Sequence, residues 1–244
     1  MAASSTSSIN PAASKPQPRH QAVRIMHILT ISGSPSAQSR SARLLGHVRA
    51  QLERAGESAD HLDLRALPAD ALLGAQTAHP AIAEALARVE AAGVVILATP
   101  VYKAAYSGLL KTFLDLLPQS GLRDKVVLPI ATGGSLAHTL AIDYALRPVL
   151  SSLAARAILP GIFAVDTQIV ASDAGLMVDP ALQQRLDDGI ERVHQALALA
   201  RHPAVEQVIV ASRSAVRAAF QVHVNAHANA NAQAADAQRM RCPT

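Results

Sequence analysis

Three short stretches of this chain hold the residue types that bind small anions and flat rings. The first, residues 33–41 (GSPSAQSRS), offers four hydroxyls and one guanidinium just ahead of a helical pattern. Ser34, Ser39, Arg40 and Ser41, with backbone N–H groups and the positive end of a helix, suit a phosphate monoester. The plainer alternative makes Ser39 a helix cap and Arg40 a solvated cation. The second stretch, residues 99–106 (TPVYKAAY), follows the apolar run 93–98. The chain has three Tyr, three Phe and no Trp, yet Tyr102, Tyr106 and Phe113 fall within twelve positions. Aromatic surface concentrated there reads as one face of a flat-ring site, with Phe113 assigned to the core of the next helix. Pro100, Val101, Tyr102 and Lys103 are the contact positions, Lys103 either meeting a ligand phosphate or standing as an exposed loop lysine. In the third stretch, Thr132, Gly133 and Gly134 let a backbone approach a ligand closely and turn N–H groups toward ring carbonyls. Its alternative is a simple strand-to-helix turn capped by Ser135.

The elements that position these stretches alternate. Strand patterns occupy residues 24–32, 61–64, 94–98, 125–131 and 157–165, and helical spacing covers 39–54, 81–92, 105–117, 135–153 and 181–200. Pro100 is expected to stop the third strand. Five strands each followed by a helix predict an α/β fold, a doubly wound five-stranded parallel sheet. Neither G-x-G-x-x-G nor G-x-x-x-x-G-K-[ST] is present, which disfavours the dinucleotide-binding order and the P-loop enzymes. The flavodoxin-like order 2-1-3-4-5 is therefore expected. It sets strands one, three and four side by side, so the three stretches meet beyond the carboxyl ends of neighbouring strands. A phosphate pocket beside a ring pocket has the shape of an FMN site.

The fourth helix carries an irregularity. Ile142, Leu146, Val149 and Leu153 form one apolar stripe, while Leu136 and Leu140 are offset from it by about one residue. One inserted residue produces that slip, and helices absorb insertions as π-bulges. Pro148 agrees, since it cannot donate to the carbonyl of Tyr144 four residues back.

Composition bounds the rest. The 244 residues are 50% hydrophobic and 16% charged, which fits a packed globular domain. The net charge of +4 resides in the ends: residues 1–24 carry +3, residues 201–244 carry +3, and the body is about −2. No clustered basic face argues for nucleic acid. We expect a flexible leader over 1–23, one domain over 24–201 and a low-complexity tail over 202–244. No apolar run approaches the length of a membrane span, and the leader lacks the apolar core of a secretory signal. The single cysteine, Cys242, excludes an internal disulfide and fits a reducing cytoplasm. The histidines show no metal-ligand spacing, so no metal is expected. Ser135, His138 and Asp143 lie too close on one predicted helix for a hydrolase triad, and no G-x-S-x-G elbow exists.

GSPSAQSRS, ATPVYKAAYSGLLKTFLDLLP and KVVLPIATGGSLAHTLAIDYALRPVLSSL resemble the NADPH-dependent FMN reductases of the flavodoxin-like superfamily. More closely, they resemble the reductase component of two-component alkanesulfonate monooxygenase systems, over about residues 25–200. The resemblance implies an oxidoreductase that takes FMN and NADPH as substrates and assembles as a homodimer or homotetramer. It implies that reduced FMN passes to a flavin-dependent monooxygenase for sulfur acquisition. It further implies that Tyr144 is an inserted tyrosine near a subunit interface, where it governs flavin release and assembly. One departure stands out: Ser36 replaces the arginine the broader family often has, and Arg40 is expected to supply that charge. The competing readings are an FMN-retaining quinone or azo-dye reductase and a non-enzymatic electron carrier. No catalytic acid or base is expected, because a hydride passes directly between nicotinamide and flavin.

Overall fold

A computed structural model describes residues 27–172 and 175–201. The middle of its sheet is three parallel strands, β1 (His27–Ser32), β3 (Ala92–Tyr102) and β5 (Val126–Gly133). β2 (Ala59–Asp63) pairs outside β1, and β6 (Ala157–Ile158) and β7 (Ile162–Val165) pair outside β5. The order β2-β1-β3-β5-β6/β7 is the expected 2-1-3-4-5. Successive residues of each strand point to opposite faces, and both faces are covered, so the middle strands are mostly apolar. On one face, α1 (Arg40–Arg54) and α6 (Pro180–Arg201) bury Leu44, Leu45, Leu186 and Val193 against Ile28, Ile96 and Leu128. On the other, α2 (Ala69–Leu73), α3 (Pro80–Ala91), α4 (Gly108–Leu114) and α5 (Arg147–Ser152) bury Ala71, Val89, Phe113 and Leu150 against Leu29, Val95 and Val127.

Strand three does not stop at Pro100. Its last pair with β1 is Ser32 to Ala98, so the proline leaves no β1 carbonyl without a donor, and pairing with β5 continues to Pro100 and Thr132. Val101 and Tyr102 then pair antiparallel with β4 (Ala105–Tyr106). The two-residue turn between them, Lys103 and Ala104, has φ of 50° and 64°, the left-handed geometry of a tight hairpin. The third helix therefore begins at Gly108 rather than near 105. Ser107 caps it by accepting the Leu110 N–H at 3.1 Å, and Thr99 Oγ1 accepts the Ser107 N–H at 3.0 Å.

The strand expected over 157–165 is divided into two pieces, β6 and β7. Val127 O accepts from Leu159 N, so Pro129, two residues on, turns its missing donor to the same edge. The gap holding Pro160 and Gly161 falls beside it. A hairpin that the periodicity did not foretell, β8 (Ile169–Ser172) with β9 (Gly175–Val178), precedes α6.

The fourth helix is broken as its pattern implied, though into more parts than one bulge. A 3-10 turn (Leu136–His138) leads to a π-helical segment (Ile142–Leu146) and then to the six residues of α5. The Arg147 N–H reaches the Ile142 carbonyl five residues back, which is the π geometry. No helix among the described residues is long and apolar enough to cross a membrane. The readings for residues 1–26 and 202–244, the start of the first strand included, lie outside the described residues.

Candidate functional site

The loop after β1 is tightly fixed. Gly33 N donates to Ala98 O at 2.8 Å, and Ser107 Oγ donates to the Gly33 carbonyl. A Cβ on Gly33 would stand 2.8 Å from Leu110 Cβ, so only glycine lets this loop lie on α4. Ser34 Oγ accepts the Ser36 N–H at 3.2 Å, and Ser36 Oγ accepts the Gln38 N–H at 3.3 Å. These side-chain bonds turn the loop into the start of α1. There Ser39 Oγ caps the Ala42 N–H at 3.2 Å and shares a 2.7 Å bond with Ser41 Oγ. Among the described residues, the Arg40 and Ser41 N–H groups have no partner. The helix thus presents two free donors and its positive end.

The three stretches meet in one cavity of about 160 Å³. Ser34, Ser39 and Arg40 line it from the first, Pro100, Val101 and Tyr102 from the second, and Thr132, Gly133 and Gly134 from the third. Two expected residues stay out. Ser41 is fully buried behind Ser39, and Lys103 is an exposed turn residue that does not line the cavity. Of the clustered aromatics only Tyr102 reaches the site, as a half-exposed ring on its lip. Tyr106 packs against the α4 side of the core, where burial pushes its hydroxyl above the usual phenol range. Phe113 is wholly buried, as assigned.

Sequence reasoning missed Gln38 and Asp166, which complete the wall. Asp166 follows β7, so it obeys the same carboxyl-end rule as the other loops and could have been found by it. Its carboxylate accepts from Arg40 Nη1 at 3.2 Å. The pair joins α1 to the far edge of the sheet and sets where the Arg40 guanidinium lies.

Tyr144 stands apart from the cavity. It is 78% exposed at the middle of the π segment, and Leu136 and Leu140 are exposed on the same stretch. Arg147 anchors the segment, bonding Asp143 at 3.0 Å and the Ile158 carbonyl on β6 at 3.1 Å. Ser135 caps the 3-10 turn through Ala137 N, and Asp143 is taken by Arg147, so no triad forms with His138. Among the described residues, no group of three metal-ligating side chains comes together.

The geometry can be set beside known proteins. The family described as NADPH-dependent FMN reductase matches residues 26–169. The FMN reductase (NADPH) of Escherichia coli (strain K12) is 47% identical over 172 residues, spanning 70% of this chain and 90% of that protein. Its counterpart from Pseudomonas putida is 45% identical over 186 residues, spanning 75% of this chain and 94% of that protein. Among solved structures, the apo form of the NADH:FMN oxidoreductase EMOB superposes with a TM-score of 0.65 at 40% identity, covering 74% of this chain and 93% of its own. The match runs from the first strand past the last strand of the sheet and takes in all three cavity loops; the chain belongs to the NADPH-dependent FMN reductase family.

Proposed function

We propose that this oxidoreductase, which uses FMN and NADPH as its family does, releases reduced FMN to a partner monooxygenase instead of keeping it. The residues present fit FMN. Ser34, Ser36 and Ser39, the two free N–H groups of α1 and the Arg40 guanidinium would hold the phosphate. Tyr102 and the backbone at Gly133 and Gly134 would flank the ring. Bound FMN supplies the atom that accepts the hydride from NADPH. The chain's own part is to fix the two rings face to face and keep water from between them. The Ser41 hydroxyl serves by setting Ser39, and Lys103 by shaping the β3–β4 turn.

The observation that carries the release reading is the cavity itself. Tyr102 stands half-exposed on its lip, which supports a flavin ring lying open to solvent. An exposed ring favours exchange over retention. The partner rests on the resemblance to alkanesulfonate reductase components and on the exposed Tyr144 at a π segment. In this reading the Leu136, Leu140 and Tyr144 stripe joins copies of the chain as a homodimer or homotetramer, and its opening frees the flavin. The enzyme works in the cytoplasm on the sulfur supply of the cell, and residues 22–202 suffice for reduction.

Wild-type protein should purify nearly colourless and oxidise NADPH only when FMN is added. Tyr144→Ala should purify yellow, exchange FMN slowly and lose turnover with free FMN. A yellow wild type would replace release with retention, and a colourless, fully active Tyr144→Ala of unchanged assembly would return Tyr144 to packing.

A further inference from the structure

A second cavity adjoins the first. It has about 590 Å³, and Gln38, Arg40 and Asp166 line both. Its remaining wall includes Arg43 and Thr167. Arg40 and Arg43 are three apart on α1, so their guanidiniums lie on one helix face. They are not equivalent. Arg40 is engaged by Asp166 at 3.2 Å, whereas the Arg43 side chain has no hydrogen-bond or ion-pair partner among the described residues.

We infer that this cavity receives the adenosine end of NADPH, with Arg43 binding its 2′-phosphate; the inference rests on the FMN reductase reading above. Three observations support it. The cavity shares a wall with the proposed flavin site, so one extended dinucleotide can reach from one to the other. Its volume falls within the range of small-molecule sites. The third is the distribution of charge. A free carboxylate favours the ribose hydroxyl of NADH, while an arginine accommodates the extra phosphate of NADPH. Here the carboxylate, Asp166, is already bound to Arg40, and the unengaged group is the Arg43 cation. Thr167 adds a hydroxyl to the lining. The phosphate dianion thus meets one whole positive charge, and the ribose meets no free carboxylate.

Steady-state constants for NADPH and NADH at saturating FMN, with calorimetry using adenosine 2′,5′-bisphosphate and adenosine 5′-monophosphate, test this directly. Arg43→Ala should raise KM for NADPH by about tenfold and weaken the bisphosphate by a similar factor, as expected for one charge-assisted contact in a partly exposed site. KM for NADH, binding of the monophosphate and the FMN constant should hold, and Arg43→Lys should recover part of the loss. Equal changes for both nucleotides, or none for either, would overturn the assignment of Arg43. A weakened FMN constant would overturn it too, by giving the cavity to the flavin phosphate. A wild type inert toward both nucleotides but still preferring the bisphosphate would fail the reductase reading while keeping the subsite.

Discussion

The chain makes the step from strand to loop to helix at β1 and again at β5, two strands apart in the sheet, with opposite results. After β1 the loop is bonded to itself and to β3, Ser39 caps the helix, and α1 runs unbroken for 15 residues. Its Leu44, Leu45, Val48 and Leu52 are fully buried. After β5 the same span is divided into a 3-10 turn, a π segment and a six-residue helix. Its Leu136 and Leu140 are 66% and 57% exposed. A helix register that matches its core face gives a rigid support, and a register slipped by one residue must leave apolar groups outside. One flank of the sheet is therefore closely packed, and the other leaves apolar side chains exposed.

Core truncation should separate the flanks most strongly. Leu44→Ala removes fully buried packing and should cost about 2–5 kcal/mol in denaturant unfolding, whereas Leu140→Ala should fall within about 0.5 kcal/mol for the dissociated chain. Similar losses at both positions would erase the contrast.

Two of the tightly packed glycines give a finer measure. A Cβ on Gly33 would meet Leu110 Cβ at 2.8 Å and Ala98 O at 3.3 Å, all in fixed structure. Gly33→Ala should cost about 2–3 kcal/mol by overpacking. A Cβ on Gly161 would come within 2.5 Å of Ile142 Cγ2, at the start of the π segment. If that flank yields, Gly161→Ala should cost about 1 kcal/mol, near the low end for overpacking, and alter flavin exchange more than stability. Unfolding and stopped-flow FMN release, measured on the same variants, separate the two effects.

Ligand binding sharpens the comparison further. Arg40→Ala should weaken FMN about tenfold, equal to about 1.4 kcal/mol, and leave riboflavin nearly unchanged. Equal losses for both flavins would take Arg40 out of the phosphate contacts.

The smallest effect is a pH dependence on the rigid side. His61 Nδ1 lies 3.0 Å from Thr30 Oγ1, and burial holds the imidazole below its ordinary 6.5. Arg49 and Arg88 push the same way, while Asp63 and Asp60 oppose them. The unfolded chain takes up this proton first as pH falls. The His61 contribution is therefore complete above about 6.5 and declines below it, toward the depressed value. Melting temperatures from pH 7 to pH 5 should drop less in His61→Asn than in the wild type. Parallel curves would show that His61 is silent.

Much of this was legible in the residues. Apolar runs marked the three middle strands, because strands covered on both faces admit little else. The slipped stripe at 136–153 disclosed a π segment, since a register error is written in the spacing itself. Loop chemistry placed Ser34, Ser39, Arg40, Pro100, Val101, Tyr102, Thr132, Gly133 and Gly134, all of which converge on the cavity. One inference failed because it was drawn from a single residue taken alone. Pro100 reads as a strand stop, yet its neighbour β1 has already ended there. Lys103, which reads either as a cation for a ligand phosphate or as an exposed loop lysine, is an exposed half of the β3–β4 turn with left-handed φ.

Local pattern, then, determined the strand order, the three loops and the flaw in the fourth helix, because each depends on a few consecutive side chains and the period they impose. Tertiary structure alone decided the division of β6 from β7, where Pro129 faces a gap whose residues lie some thirty positions further on. It alone brought Asp166 to Arg40 across 126 residues of chain, leaving the nearby Arg43 side chain without a partner among the described residues. Which charges cancel and which remain is a property of distance in space, and spacing along a chain does not carry it.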